Sequence, residues 1–291
     1  MITPQPKAGT LAKIIGLHTD LYLKREDIHP YGSHKGRSIP LMIDHYAASG
    51  QTYFCISSSG NAALSAIHAI QKLNNKKPSQ FFTLHIFVGK HIDPEKLKRL
   101  QEAITNPAHI TIEQVDSPKQ TAFQMDKQGK TRNLRQSTDD TALIGYEVLA
   151  DELAEIKDLA AVFIPTSSGT TAQGLYNGFK KHGLKPQIHI VQTPKCHPFV
   201  DSDLQTKTSL ANAIVDNIGY RKEAIQQILS ESGGQGWVVS DKEIEKAITQ
   251  VKETENIDIS PNSALSVAGL QLAIKNDWQC NGPVVCLITG K

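Results

Sequence analysis

Short apolar runs alternate along the chain with longer stretches in which apolar residues recur at helical spacing. The apolar runs are typical of buried strands and cover residues 53–56, 84–88, 110–115, 161–165, 188–192 and 284–289. The helical spacing covers residues 61–73, 94–104, 141–156, 171–182, 241–251 and 263–274. Strands that alternate with helices of this length are typical of βαβ units, so the pattern predicts an α/β protein with mainly parallel sheets.

Three of the predicted strands end in small polar residues. The sequences there are Ser-Ser-Ser-Gly-Asn at 57–61, Thr-Ser-Ser-Gly-Thr-Thr at 166–171 and Thr-Gly at 289–290. Any one of them is explained by a helix cap or a turn, because Ser, Thr and Gly favour such positions. In parallel α/β sheets, however, ligands bind at the carboxyl ends of the strands. The three segments together therefore predict a site for an anionic ligand.

Charge and composition narrow the class of protein. The 291 residues contain 31 Lys and Arg against 29 Asp and Glu, a net charge of +2, and 39% of them are hydrophobic. No basic excess is available to neutralise phosphates, so we expect no nucleic-acid partner. No apolar run is long enough for a membrane span, and the first residues lack the blocks of a secretory signal. We therefore expect a cytoplasmic protein without membrane contact.

The cysteines and histidines show no metal-binding or disulfide spacing. Cys55, Cys196, Cys280 and Cys286 are scattered without a CxxC pair, and the 11 histidines form neither HExxH nor HxH. Cys55 and Cys286 lie inside apolar, strand-like runs, where cysteine behaves as a small buried hydrophobic residue. We expect reduced core thiols and no metal site.

Lys35 is the most informative single residue. It follows a charged strand end and a turn at Pro30 and Gly32, in the first turn of a helix that Ser33 is expected to cap. The helix dipole opposes a positive charge there, and a neutral amine is what Schiff-base formation needs. A solvated surface lysine is the simpler alternative for an isolated residue of this type.

The segment 24–37, with Lys-Arg-Glu-Asp at its start and Pro-Tyr-Gly-Ser-His-Lys-Gly-Arg at its end, resembles the lysine motif of a known family. That family is the tryptophan-synthase-β-like (fold type II) pyridoxal-phosphate enzymes, which include threonine synthase, threonine dehydratase and cysteine synthase. Five more segments resemble the family's other motifs, in the same order, at 58–61, 138–147, 167–171, 260–270 and 286–290. The resemblance implies two three-layer αβα domains with mainly parallel sheets. It assigns 1–40 with 137–291 to a larger cofactor-binding domain and 41–136 to a smaller one.

The resemblance also implies a role for individual residues. Lys35 would hold pyridoxal 5'-phosphate through a Schiff base and then move protons once the substrate has displaced it. Asn61 would contact the ring hydroxyl of the cofactor, and Thr289 its ring nitrogen. The substrate carboxylate would bind to Ser58, Ser59, Gly60 and Asn61. The cofactor phosphate would bind to Ser167, Ser168, Gly169, Thr170 and Thr171. His34 either touches that phosphate or is a solvated loop histidine.

The sequence departs from the family pattern at three points. The phosphate loop 167–171 retains only Gly169 where relatives carry more glycine, and Ser260-Pro261 stands where the family has Glu-Pro. The sequence also ends at Lys291, directly after the Thr-Gly motif, where relatives normally continue. These departures leave a divergent enzyme or a non-catalytic cofactor-binding protein as alternatives.

Within the family we expect a threonine-synthase-like enzyme that converts O-phosphohomoserine to threonine and phosphate. Lys24, Arg37 and the hydroxyl groups around Ser57 are then candidates for binding the phosphate of the substrate, and a solvated face explains the charged pair Lys24 and Arg37 equally well. A serine/threonine ammonia-lyase (dehydratase) is the second interpretation, and a cysteine-synthase-like β-replacement the third. The small amino-acid substrate and, by analogy with relatives, a homodimer complete the expectations.

Overall fold

In a computed structural model that describes residues 2–291, nine strands form two sheets. The strands are β1 (Leu21–Arg25), β2 (Tyr53–Ser57), β3 (Thr83–Gly89), β4 (Ile110–Val115), β5 (Arg132–Asn133), β6 (Ala161–Pro165), β7 (Gln187–Gln192), β8 (Gly236–Val238) and β9 (Val284–Ile288). The helices are α1 (Gly9–Ile15), α2 (Lys35–Ala48), α3 (Asn61–Lys76), α4 (Pro94–Ala103), α5 (Pro118–Lys127), α6 (Thr141–Leu153), α7 (Thr170–Lys181), α8 (Lys222–Ser232), α9 (Asp241–Glu255) and α10 (Pro261–Lys275).

The chain divides into two compact units. The larger unit combines the N-terminal segment through His29 with Tyr146–Lys291, and the smaller unit is Pro30–Gly145. The smaller unit therefore begins and ends outside the predicted range 41–136. Helix α2 packs on α3, and the Ser38 hydroxyl donates to the Ala142 carbonyl at 2.7 Å. These contacts place the segments on both sides of the predicted range, 30–40 and 137–145, in the smaller unit. Lys35 accordingly belongs to the smaller unit.

The larger unit has a five-stranded sheet in the order β1-β9-β6-β7-β8, and every neighbouring pair is parallel. Every residue of the central strands β6 and β9 is buried, as expected for a sheet covered on both faces. Helices α1, α9 and α10 pack on one face, and α6, α7 and α8 pack on the other. These three layers confirm the predicted αβα architecture.

The smaller unit has a four-stranded parallel sheet in the order β4-β3-β2-β5. Its main core lies between the sheet and helices α2, α3 and α4, while α5 covers the other face over Cys55 and Phe87. Burial raises the pKa of the Cys55 thiol to about 11 and also raises that of the fully buried Cys286. All four cysteines are free thiols.

Two general properties follow for the part of the chain that the structure describes. None of its helices combines the length and the hydropathy that a bilayer crossing needs. Within residues 2–291 no three His, Cys, Asp or Glu side chains are grouped so that they could hold a metal ion.

A buried ion pair fixes the start of the larger unit. The Lys24 side chain is 0% exposed, and its ammonium group donates to Glu152 at 2.5 Å, to the Thr3 carbonyl at 2.8 Å and to Gln5 at 3.1 Å. Lys24 was a candidate for binding a substrate phosphate. That prediction is wrong, because the ammonium group is enclosed in the core and bonded there to α6 and the N-terminal segment.

His189 is the centre of a buried aromatic cluster in the larger unit. Its ring stacks on Phe163 with centroids 4.3 Å apart and meets Trp278 edge to face at 5.0 Å. Its Nδ1 accepts hydrogen bonds from the Gln235 amide and from Trp237 Nε1, both at 3.2 Å, and its Nε2 lies 3.1 Å from Gln187 Oε1. Burial lowers the pKa of His189 to about 3, so the imidazole is neutral at pH 7.

We predict that this histidine makes the fold acid-sensitive. Because the folded-state pKa lies below the unfolded value, protonation favours the unfolded chain, and stability is lost as the pH falls below about 6.5. From about pH 7.5 to about pH 5, His189 alone should remove about 2 kcal/mol from the free energy of unfolding. Urea unfolding followed by circular dichroism across this range measures the loss. His189→Gln should flatten the pH dependence, and an unchanged slope in this variant would contradict the prediction.

Candidate functional site

The loop between β6 and α7 has the properties of an anion site. Gly169 precedes α7 in a left-handed conformation (φ +82°), and Thr170 and Thr171 are buried in the first turn. The Ser168 and Thr170 hydroxyls lie 2.9 Å apart. The first N–H groups of a helix have no acceptor within the helix, and its dipole favours an anion. Since residues 166–171 include no acidic side chain, nothing in the loop opposes that charge.

Ser167 also makes a long-range contact that its sequence position did not indicate. Its hydroxyl oxygen accepts hydrogen bonds from the backbone amides of Val215 at 3.1 Å and Asp216 at 3.2 Å. These residues belong to the long connection between β7 and α8, which is also held by Asn262 through the Ala213 amide at 2.9 Å. Ser167 thus joins this connection to the anion-binding loop.

Gly169 cannot be replaced without strain. Its φ is one that side chains rarely adopt, and a Cβ at this position would lie 2.8 Å from Cγ1 of Ile225. Gly233 shares the positive φ (+69°) but has open space around it. The one glycine kept in the loop therefore meets both a conformational and a packing requirement.

We predict a larger stability loss for Gly169→Ala than for the matched Gly233→Ala. The left-handed conformation alone should cost Gly233→Ala about 1 kcal/mol, while the added contact with Ile225 should bring Gly169→Ala to about 2–4 kcal/mol. Urea unfolding of both variants measures the difference. Equal losses would show that Ile225 moves aside at little cost.

Thr289 lies at the same edge of the larger sheet as the anion-binding loop. It follows β9, which pairs directly with β6, and it is 6% exposed. Two serines of the α10 start surround it: Ser260 Oγ donates to the Gly290 carbonyl at 2.6 Å, and Ser263 Oγ does so at 2.8 Å. Ser263 Oγ is also 3.4 Å from Thr289 Oγ1. Ser260 also caps α10, and the sequence did not indicate its contact with residues 289–290.

Lys35 is the first residue of α2 in the smaller unit and is partly buried. Ser33 is fully buried, and its hydroxyl accepts the Lys35 amide at 3.3 Å, as expected of a residue that ends the preceding turn. The helix begins one residue later than a Ser33 cap implies, since His34 occupies the cap position without a side-chain cap bond. Gly32, with φ +74°, makes the turn that leads into the helix.

Residues 58–61 connect β2 to α3 in the same unit. Gly60 occupies the cap position, its amide donates to Ser58 Oγ at 3.3 Å, and a Cβ on Gly60 would meet nothing within 4 Å. Asn61 begins a helix of 16 residues. The start of α3 thus offers backbone N–H groups that have no acceptor within the helix, together with hydroxyls and a dipole that favours a small anion. In the chain, α2 precedes β2 and α3 follows it. The start of α3 therefore lies at the carboxyl edge of this sheet.

The segment 138–147 contains a polar cluster that the sequence did not indicate. Asp139 binds Arg132 Nη2 at 2.8 Å and the Tyr46 hydroxyl at 2.7 Å, and its second oxygen accepts the Thr141 amide at 3.0 Å. Burial opposes the charge on Asp139, but these hydrogen bonds outweigh it and lower the pKa of the carboxyl group. Asp139 therefore binds the first amide of α6 and holds Arg132 over the Tyr46 ring. Arg37, the other candidate for a substrate phosphate, is only 6% exposed.

Known proteins are similar to this chain over nearly its whole length. A sequence model described as "Pyridoxal-phosphate dependent enzyme" matches residues 2–290. Threonine synthase of Mycobacterium tuberculosis (strain H37Rv) is 26% identical over 302 residues, which cover 99% of this chain and 80% of that protein. L-serine dehydratase/L-threonine deaminase of Bos taurus is 40% identical over 73 residues, 25% of this chain and 22% of that protein.

The fold is shared with solved structures. The processed form of threonine deaminase isoform 2 from Solanum lycopersicum superimposes with a TM-score of 0.81 at 18% identity, over 99% of this chain and 83% of that one. At this level of identity the superposition shows the common architecture of two parallel sheets, each covered by helices.

Proposed function

Because the chain belongs to the pyridoxal-phosphate dependent enzyme family, we propose that it is a threonine-synthase-like enzyme. The reaction takes O-phosphohomoserine and water to threonine and inorganic phosphate, so that phosphate leaves the γ-carbon and a hydroxyl group is added at the β-carbon. The observation that carries this proposal is the alignment with threonine synthase along 99% of the chain.

The residues of the larger unit fit the cofactor by their chemistry. The α7 start supplies N–H groups and the hydroxyls of Ser167, Ser168, Thr170 and Thr171 for a phosphate, and Gly169 allows the turn that exposes them. Thr289 supplies a neutral hydroxyl on the neighbouring strand end, suitable for a ring nitrogen. When bound, pyridoxal phosphate withdraws electrons from the amino acid and so makes its α-proton acidic.

The residues of the smaller unit would act on the substrate. Lys35 would hold the cofactor and then take and return protons at its Nζ. Ser58, Ser59 and Gly60, at the start of α3, would bind the substrate carboxylate, and Asn61 would contact the ring hydroxyl of the cofactor. His34, next to Lys35, would be a further contact for the cofactor phosphate, and a solvated loop histidine is the alternative.

A serine/threonine ammonia-lyase is the second candidate. It is favoured by the 40% identity over 73 residues with the bovine dehydratase. It is also favoured by the burial of Lys24, because threonine synthase needs a second anion site for the substrate phosphate and this ammonium group is bonded to Glu152. The dehydratase needs the lysine and the carboxylate site, but no second anion site.

Product analysis with the purified holoprotein separates the two. Phosphate released from O-phosphohomoserine, together with an equal amount of threonine, would establish the synthase. Release of 2-oxobutyrate and ammonia from threonine, without phosphate release from O-phosphohomoserine, would establish the dehydratase and overturn the first proposal. Cofactor bound to Lys35 without turnover of either substrate would favour a non-catalytic cofactor-binding protein.

A further inference from the structure

We propose that the segment 209–216 positions the Ser167 hydroxyl group as a hydrogen-bond donor to the cofactor phosphate, and that Asn262 is the positioning residue that holds this segment. The segment belongs to the connection between β7 and α8, and all of these residues lie in the larger unit. The inference rests on the proposed function, because the cofactor phosphate has its place there at the start of α7.

The two hydrogen bonds at Ser167 have only one possible direction. The Val215 and Asp216 backbone amides lie 3.1 Å and 3.2 Å from the Ser167 oxygen, and a backbone amide donates but cannot accept. A serine hydroxyl group has two lone pairs and one proton. Because the amides take both lone pairs, Ser167 meets a ligand only as a donor. A phosphate oxygen accepts, so this hydroxyl group suits a phosphate.

The segment that supplies these amides is held at two further places. The Asp241 carboxylate, at the start of α9, accepts the Ser209 hydroxyl and the Leu210 amide, both at 2.9 Å. The side-chain oxygen of Asn262, at the start of α10, accepts the Ala213 amide at 2.9 Å. This last bond lies two residues before the amides that donate to the serine, so it limits where those amides can lie.

This arrangement gives a physical reason for the scarcity of glycine in the loop 167–171. Gly169 is the one glycine there, where relatives carry more. A glycine at position 167 would have no hydroxyl group with which to accept the Val215 and Asp216 amides or to donate to a phosphate. The serine at this position therefore joins the segment to the ligand, which a glycine could not do.

Phosphate binding and the order of the segment are then coupled. A hydroxyl group that donates to an anion becomes a better acceptor, because hydrogen bonds in a chain polarise one another. The phosphate should therefore strengthen the bonds from the Val215 and Asp216 amides. By thermodynamic reciprocity, a well-held segment strengthens the binding of the phosphate. Asn262 contributes to that affinity through the segment.

Hydrogen exchange tests the coupling in the parent protein. The full chain is loaded either with pyridoxal 5'-phosphate or with pyridoxal, which lacks the phosphate group, and exchange is followed at single amides. The Val215 and Asp216 amides should exchange about fivefold more slowly with the phosphate-bearing ligand, the lower end of ordinary couplings between sites. The Ala213 amide, whose acceptor is Asn262, is the internal reference and should not change. Equal rates at Val215 and Asp216 with both ligands would overturn the proposal.

Two asparagine variants separate positioning from a general structural role. Asn262→Ala should raise the dissociation constant of pyridoxal 5'-phosphate about fivefold and leave that of pyridoxal unchanged. Asn276→Ala is the matched control at the other end of α10, because the Asn276 side chain donates to the Leu272 carbonyl of its own helix at 2.7 Å. It should change neither constant. If Asn262→Ala weakens both ligands equally, its role is structural and the proposal is wrong.

The outcome is independent of the proposed reaction, because neither measurement involves turnover. If Asn262→Ala does not fold, the exchange rates of the parent protein still decide. Ser167→Ala removes the acceptor, so exchange at Val215 and Asp216 should then be the same with both ligands. A protein that shows the phosphate-dependent protection but turns over neither O-phosphohomoserine nor threonine contradicts the proposed function and leaves the role of the segment intact.

Discussion

Lys35→Ala is expected to lower turnover of the productive substrate about a thousandfold or more while the protein remains folded. The amine is the proposed group for both attachment of the cofactor and proton movement, and acid–base catalysis alone contributes about 10²–10⁴-fold. Since Lys35 is only partly buried at the start of α2, its removal leaves the core of the smaller unit intact. Steady-state rates with O-phosphohomoserine and with threonine measure the loss.

A covalent label distinguishes this role from a general loss of binding. Borohydride reduction of the holoprotein should attach the cofactor to the peptide that contains Lys35, as seen by mass spectrometry, and should attach nothing to Lys35→Ala. Lys96→Ala is the matched control, because Lys96 is also a partly buried lysine in the first turn of a helix of the smaller unit. An unchanged adduct in Lys35→Ala would contradict the assignment of Lys35 as the residue that holds the cofactor, and with it the proposed mechanism.

Lys24→Met is expected to cause the largest loss of stability, about 3–5 kcal/mol. The substitution removes the ammonium group that Glu152 meets at 2.5 Å and leaves a carboxylate that is only 9% exposed. A buried charge without its counter-charge is costly, whereas a methionine side chain fills nearly the same volume as lysine. Urea unfolding followed by circular dichroism gives the difference in free energy.

Two further variants test whether the uncompensated charge is the cause. Lys7→Met removes an ion pair of similar length, 2.7 Å to Asp20, but both of those side chains are about half exposed, so its unfolding midpoint should not change. The double variant Lys24→Met/Glu152→Leu removes both buried charges and should recover most of the loss. If it is no more stable than Lys24→Met, the loss comes from packing and the carbonyl contact of Thr3.

The predicted architecture was confirmed because the sequence pattern that specifies it is local and repeats along the chain. The fully apolar runs of β6 and β9 identify strands covered on both faces. Helices α4 and α10 each have a proline in their first turn, which is a signal of a helix start. The elements that the pattern missed are short or mostly polar. β5 has two residues and β8 has three, while α1 has seven. The helix α5 buries only Ala122, and α8 buries only Ile225 and Ile228, so each of these elements depends on neighbours for its stability.

The candidate site was predictable as a set of motifs but not as a set of contacts. The sequence indicates Ser167 and Thr289 by their positions at strand ends, and both lie there. It could not indicate that Ser167 holds Val215 or that Ser263 meets Thr289, because those partners are 48 and 26 residues away. The prediction for Lys24 was wrong for the same reason. Its charge suggested that it binds a ligand, but its partner Glu152 is 128 residues away in the sequence. Long-range pairing of polar side chains is set by the fold and leaves no local pattern.

The aromatic cluster around His189 determines what the fluorescence of this protein reports. The chain has two tryptophans, and both Trp237 and Trp278 pack against that histidine in the larger unit. The smaller unit contributes tyrosines but no tryptophan. Emission excited at the indole band therefore follows the unfolding of the larger unit alone, while far-ultraviolet circular dichroism follows both. If the two unfolding curves differ, one unit unfolds before the other. The positions of the two tryptophans therefore allow spectroscopy to test whether the two units unfold cooperatively.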